Sequence, residues 1–290
     1  MRGMVSCMPM SVESLNPIGV FDSGVGGISV LREIKRLLPA ENLIYVADSG
    51  HAPYGSKTPE YIIARCQQVS QFLLAEGAKA LVVACNTATA HAIEPLRATL
   101  SVPVIGIEPA VKPAARMTQT GVIGVLATQQ TVQSARLQRL IREYAGDVKV
   151  LAQACPGLVE HVEQGDFSSD ALRQLLKAYA LPLLEQGADT LVLGCTHYPF
   201  LSDTLHDITH GKVTVLETST AVAHQVMRVL QQRGMQCLAE RAGSVQFYSS
   251  KADEGHWRSM EWLWQQALDI RLLPEPFLFI PPQRPAQGLQ

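Results

Sequence analysis

Two cysteines carry the chemistry in this 290-residue chain. Cys85 ends the run Lys79-Ala-Leu-Val-Val-Ala-Cys85-Asn-Thr87, and Cys195 ends Asp189-Thr-Leu-Val-Leu-Gly-Cys195-Thr-His197. One constant offset pairs Gly77 with Gly187, Ala78 with Ala188, Leu81 with Leu191, Val82 with Val192 and the two cysteines with each other. A single cysteine after a strand suggests a nucleophile. Two in matched positions suggest a pair of acid/base groups, one for each face of a carbon centre. Two equivalent core cysteines inherited from a duplication would give the same spacing without the chemistry. The polar residues that follow each thiol, Asn86-Thr87 and Thr196-His197-Tyr198-Pro199, favour the chemical reading because they suit a helix start. A thiol at a helix N-terminus is expected to ionise below its usual value of about 8.5.

Other residues gather around these two. Asp22-Ser-Gly-Val-Gly-Gly27 follows an apolar run and opens a helical pattern, so its backbone N–H groups are candidates to hold an anion. As a dinucleotide fingerprint it is incomplete. Gly24 and Gly26 fit, the third glycine position is Ser29, and Asp48 stands where an acidic residue would meet a ribose. A carboxylate before the turn would repel a pyrophosphate but could orient a thiol or hold an amino group, which favours an amino-acid site. His197 and Asp22 are each placed to polarise a thiol, and Pro53-Tyr54-Gly55 lies in the loop after the second strand, at the same edge.

The elements that position these residues follow from periodicity. Strands are expected at 18–21, 43–47, 80–84, 102–107, 121–126, 148–152, 189–194, 213–216 and 245–248. Helices are expected from after Gly27 to about 38, and over 59–76, 86–100, 132–144, 170–186 through Pro182, 219–232 capped by Ser219-Thr220, and 257–267. Strands alternating with helices imply an α/β fold with doubly wound parallel sheets. The internal echo implies two similar domains with the site in the cleft between them. The boundaries are 17–111 plus 222–277 for the first and 112–221 for the second. The segment around 245–248 is expected as an edge strand of the first. Residues 1–16 and 278–290 are expected to be flexible ends, and the tail with Pro274, Pro276, Pro281, Pro282 and Pro285 to be extended.

Composition narrows the function classes. A net charge of −2 with 17% charged residues leaves no basic footprint, so nucleic acid is not expected as a primary ligand. No apolar stretch reaches the roughly 18 residues of a membrane span, so the expectation is a cytoplasmic protein. The six cysteines (Cys7, Cys66, Cys85, Cys155, Cys195, Cys237) form no Cys-x-x-Cys pair and no zinc spacing, so neither a disulfide scaffold nor a metal site is expected.

In combination, Phe21-Asp22-Ser23-Gly24-Val25-Gly26-Gly27, Pro53-Tyr54-Gly55, Cys85-Asn86-Thr87-Ala88, Gly106-Ile107-Glu108-Pro109-Ala110 and Gly194-Cys195-Thr196-His197-Tyr198 resemble the glutamate racemases of the cofactor-independent aspartate/glutamate racemase superfamily. The resemblance runs from Ile18 to Thr220 and is looser beyond. It implies two-base racemisation of L- and D-glutamate, supplying D-glutamate for peptidoglycan, with no pyridoxal phosphate, metal or nucleotide cofactor. It assigns Cys85 to D-glutamate with Asp22 assisting, and Cys195 to L-glutamate with His197 assisting. It also implies substrate binding by Asp22, Ser23, Tyr54, Gly55, Asn86, Thr87, Thr196 and His197, and matches Glu163 more weakly to a further acidic residue. Gln129 and Ala135 depart from the basic residue and tyrosine that many relatives carry there, while Thr128 and Thr131 remain as candidates for carboxylate binding. Expected partners are the two glutamate enantiomers, a cell-wall precursor as activator and a second copy in a homodimer. The alternatives are a racemase of aspartate or another acidic compound, and a degenerate member acting as a gyrase-binding protein.

Overall fold

A computed structural model describes residues 12–274. The first half runs β1 (Ile18–Asp22), α1 (Ile28–Leu37), β2 (Leu43–Ala47), α2 (Pro59–Ala75), β3 (Ala80–Val83), α3 (Asn86–Thr99) and β4 (Val104–Gly106). After α4 (Val111–Met117) the pattern restarts. It continues as β5 (Val122–Ala127), α5 (Gln129–Gln133), α6 (Ala135–Tyr144), β6 (Lys149–Ala154), α7 (Leu158–Glu163), α8 (Asp170–Glu185), β7 (Thr190–Gly194), α9 (Ser202–Thr209) and β8 (Thr214–Leu216). The described residues close with α10 (Ser219–Gln232), β9 (Val245–Ser249), α11 (Glu254–Trp264) and β10 (Ile270–Leu272).

All strand pairs are parallel, and the two sheets have orders β10-β9-β2-β1-β3-β4 and β6-β5-β7-β8. The echo seen in the sequence is therefore one topology used twice: β2-β1-β3-β4 has the same order as β6-β5-β7-β8. The close packing repeats as well. A Cβ on Gly19 in β1 would meet the side chains of Leu81 and Leu73, and one on Gly124 in β5 would meet those of Leu191 and Leu183. In each half a glycine lets the neighbouring strand and the covering helix approach the first strand. β1, β2, β3 and β7 are buried along their whole length, as strands covered on both faces must be.

Several boundaries differ from expectation. The helix expected over 132–144 is broken at Ser134, whose hydroxyl accepts from the Leu137 N–H and starts α6 as a separate helix. Ser219 and Thr220 lie inside α10, and the Glu217 carboxylate accepts from the Ser219 N–H at 2.5 Å in place of a hydroxyl cap. α11 begins three residues early because Asp253 caps it, and ends where Gln265 turns left-handed. β9 is not the edge strand; β10 pairs outside it. Residues 12–15 are not a loose lead-in but a 3-10 turn, tied down by Lys79 Nζ on the Ser14 carbonyl and Asn42 Nδ2 on the Leu15 carbonyl, 2.6 and 2.8 Å. Residues 1–11 and the tail prolines Pro276, Pro281, Pro282 and Pro285 lie outside the described residues. No helix among the described residues is long and apolar enough to cross a membrane.

Candidate active site

β1, β3 and β7 deliver Asp22, Cys85 and Cys195 to the carboxyl edges of their sheets, the end at which doubly wound folds bind ligands. Both thiols are buried, Cys85 at 4% and Cys195 at 6% exposure, and among the described residues no cysteine is in a disulfide.

Cys85 caps α3, with its Sγ accepting from the Ala88 N–H at 3.5 Å and contacting Ser23 Oγ at 3.6 Å. Ser23 in turn donates to Asp22 Oδ1 at 2.9 Å. The Ala88 N–H at the helix N-terminus pulls this thiol's pKa down, but not below its ordinary value, as the sequence suggests it should. Burial pushes it well up, the Asp22 carboxylate adds to the rise, and the Ala88 N–H and Ser23 offset only part of it. Asp22 is itself wholly buried. Burial raises its pKa, against the pull of His197 and of hydrogen bonds from Thr196, Ser23 and Gly24. Its Oδ2 accepts from Thr196 Oγ1 at 2.6 Å, which links the end of β1 to the residue after Cys195.

Cys195 has a different neighbourhood. Its Sγ lies 3.7 Å from His197 Nδ1, and His197 Nε2 lies 2.6 Å from Glu163 Oε1. Burial alone would lower the pKa of His197, but the Cys195 and Glu163 contacts outweigh it and hold the ring well above its ordinary value. Glu163 shifts the other way. Burial would raise its pKa, but His197, His256 and the Val25 N–H bring it below the usual carboxylate range. Cys195, His197 and Glu163 thus form one chain of contacts.

The glycine turn proves to be a clearance rather than an empty anion cradle. The Gly24 N–H donates to Asp22 Oδ1 at 3.0 Å and the Val25 N–H to Glu163 Oε1 at 2.7 Å, so both donors already hold carboxylates of the chain itself. A Cβ at Gly24 would collide with Glu163 Oε1, and one at Gly26 with His197 Nδ1. The dinucleotide reading fails with it. Asp48 is buried against Arg65, whose Nε and Nη2 donate at 2.7 and 2.8 Å, and against the Tyr54 hydroxyl at 2.6 Å. No ribose can reach it.

The remaining candidates bridge the halves. Thr87 Oγ1 on α3 lies 2.8 Å from Thr128 Oγ1 and 3.3 Å from Thr131 Oγ1, and Thr128 and Thr131 are 3.0 Å apart. Gly55 sits against Thr128, where a Cβ would be 2.9 Å from its Cβ. A cavity of about 290 Å³ lies beside this contact, lined by Gly55, Ser56, Thr128, Gln129, Cys155 and Pro156 among others. Asn86 is buried, and neither its amide N nor its amide O has a partner among the described residues. Such a group carries a desolvation cost that a ligand would relieve. The tyrosine is different, since its hydroxyl is committed to Asp48 and it fixes the 53–55 loop from behind. Gln129 opens α5 and Ala135 opens α6.

Three site-edge residues gave no clear sequence signal. Ser49 donates to Glu163 Oε2 at 3.1 Å, and only its place after β2 hinted at this. His256 Nδ1 lies 3.5 Å from the same oxygen, brought there by a helix outside the repeat. Cys155 ends up just past β6, with a thiol that burial pushes up to about 12. Among the described residues no group of three or more His, Cys, Asp or Glu is arranged to hold a metal ion.

The chain is similar to known racemases in sequence and in fold. The Asp/Glu/Hydantoin racemase model matches residues 18–226. A glutamate racemase from Methylococcus capsulatus is 53% identical over 262 residues, covering 90% of this chain and 97% of the relative. Among solved structures, a glutamate racemase isoform from Bacillus anthracis superposes with a TM-score of 0.80 at 34% identity, covering 90% of this chain and 98% of its own. The Escherichia coli glutamate racemase in complex with L-glutamate and the activator UDP-MurNAc-ala gives 0.78 at 31% identity, covering 89% and 97%. The chain belongs to the Asp/Glu/Hydantoin racemase family and is an amino-acid racemase.

Proposed function

We propose that the chain interconverts L- and D-glutamate in the cytoplasm by removing the α-proton with one thiol and delivering a proton from the other, Cys85 and Cys195 being the pair, and so supplies D-glutamate for peptidoglycan. The observation that carries the reading is the pairing of two buried thiols on equivalent strand ends with unequal partners, Asp22–Ser23 on one side and His197–Glu163 on the other.

In the L-to-D direction Cys195, as thiolate beside the His197 imidazolium, takes the α-proton. The Cys85 thiol then donates its proton to the opposite face of the planar carbanion. The products are D-glutamate, a Cys195 thiol and a Cys85 thiolate. The reverse reaction, or exchange with solvent, restores the first state, so no proton is consumed overall. A buried Cys85 thiolate beside Asp22 is a strong base, as removal of a weakly acidic α-proton requires. The unpartnered amide of Asn86, the Ser23 hydroxyl and the Thr87–Thr128–Thr131 cluster are assigned to the amino and carboxylate groups of the substrate. Preorganised donors on a carboxylate stabilise the charge that develops on deprotonation.

The test is a circular-dichroism assay of purified protein with L-glutamate or L-aspartate and no added pyridoxal phosphate. Turnover of glutamate is expected to exceed that of aspartate by about 10- to 200-fold, the margin that one methylene is worth. Faster turnover of aspartate would reassign the substrate.

A specific observation also favours an activator. A cavity of about 710 Å³ at the junction of the halves is lined by Arg97, Arg136, Arg233, Gln225 and Glu108 among others; Arg136 is paired with Glu108, but its Nε and Gln225 Oε1 are buried there without partners among the described residues. A phosphate-bearing cell-wall precursor such as the one bound by the Escherichia coli relative suits these groups. Its addition should raise kcat/KM in the same assay.

A further inference from the structure

Glu163 is the junction of four chain segments. Val25 from the glycine turn, Ser49 from the end of β2 and His197 from the end of β7 each reach its carboxylate within 3.1 Å. The fourth is His256 in the first turn of α11, whose Nδ1 is 3.5 Å from Glu163 Oε2. This ring is unusual. It is 2% exposed, yet neither ring nitrogen has a hydrogen-bond partner among the described residues. A buried imidazole with both nitrogens idle is less stable than an apolar side chain of its size. Its position is nonetheless fixed: its own N–H is capped by Asp253 at 2.8 Å, and Ser259 one turn on packs against Gly165, two residues after Glu163. Arg32 of α1 holds the other end of α11 through the Leu263 carbonyl at 3.2 Å.

We propose that His256 is a positioning residue for the Cys195 half of the site, donating a ring N–H to Glu163 and so keeping the Glu163–His197 pair charged beside the thiol. The inference rests on the racemase reading above only for its effect on turnover. Burial keeps His256 below its ordinary pKa despite Glu163, so at neutral pH it is a neutral donor and not a competing cation. The charged and titratable groups facing this cluster are Lys251 and Asp253 before α11, Asp22 and Cys195 around His197, and Tyr45 behind the glycine turn. A ring nitrogen that moves a few tenths of an ångström reaches hydrogen-bond distance of Oε2. Without that donor, Glu163 takes the proton from His197 more readily, and the Cys195 thiolate loses its counter-charge.

His256→Gln and His256→Met test this, being nearly the same shape and differing in the amide donor. The rate of iodoacetamide alkylation of Cys195, followed by peptide mass spectrometry across pH, reads its thiolate fraction without any substrate, with the Cys85 peptide as internal reference. The Met variant is expected to alkylate Cys195 about 3- to 10-fold more slowly at neutral pH. Its kcat for glutamate should fall by a similar factor with KM unchanged, and Gln should restore both. A Met profile superimposable on wild type, or equal shifts in Gln and Met, would overturn the proposal. If the Met variant fails to fold, a Gln profile that departs from wild type overturns it and one that matches supports it. Absence of glutamate turnover in wild type would sink the substrate assignment but leave the alkylation result to decide on His256.

Discussion

At the scale of single residues the site is two thiols made unequal by their neighbours. Replacing either Cys85 or Cys195 by Ser is expected to lower racemisation in both directions by at least about 10³-fold, since each direction needs one thiol as base and the other as acid. Circular dichroism of the reaction checks it. Glu163→Gln should be far milder on folding, yet it removes the charge that, together with Cys195, holds His197 above its ordinary value. An unfolded histidine titrates near about 6.5. His197 is raised in the fold, so its contribution to stability is complete below that pH and is lost as pH rises through the higher folded value. Melting temperatures of wild type should therefore fall more steeply over alkaline pH than those of Glu163→Gln, and parallel curves would contradict the pairing. These partners were only partly legible in the sequence. Cys85, Cys195, Asp22 and His197 stand at the ends of apolar runs, where position speaks for itself. Ser49 and His256 lie far along the chain from their partner Glu163 and share no pattern with it. The glycine turn is ambiguous in the sequence because a glycine that gives an anion room and one that gives a neighbouring side chain room look alike there.

At the scale of elements, the long strands and helices were readable because each contains enough residues to show a period. α4, α7 and α9 were not foreseen, as each spans only about two turns. α7 matters most, since its last residue is Glu163. The end of β2 and the start of α2 are joined through the buried Asp48–Arg65 pair, which holds Tyr54 and hence the 53–55 loop against Thr128. Arg65→Met leaves Asp48 buried without its counter-ion. It should cost about 3–5 kcal/mol in stability, measured by denaturant unfolding. A cost under about 1 kcal/mol would show that the pair is not needed to hold the loop. Gln129 and Ala135 each begin a helix, α5 and α6, and Thr128, which caps α5, and Thr131 within it lie against Thr87.

At the scale of the whole molecule, one β-α topology is used twice and a non-repeated C-terminal segment is added to the first sheet. Duplication explains why two thiols sit on equivalent strand ends. The added segment supplies His256, which lies outside the repeat and so outside anything the echo could reveal. The halves meet through Asp22–Thr196, Val25–Glu163 and the threonine cluster. Replacing both Thr87 and Thr128 by Val should raise the KM for glutamate by about 10-fold or more through lost carboxylate donors, with a smaller change in kcat. Steady-state kinetics check this, and an unchanged KM would remove the cluster from the substrate site.

The central claim is that two separate groups handle the α-proton, one on each face of the carbon. Racemisation of L-glutamate in deuterated water, stopped at early conversion and read by NMR at the α-carbon of each separated enantiomer, tests it most directly. Two thiols predict that newly formed D-glutamate carries α-deuterium while recovered L-glutamate retains its α-proton. Deuterium appearing in recovered L-glutamate as fast as D-glutamate forms would mean that one group serves both faces, and would contradict the account.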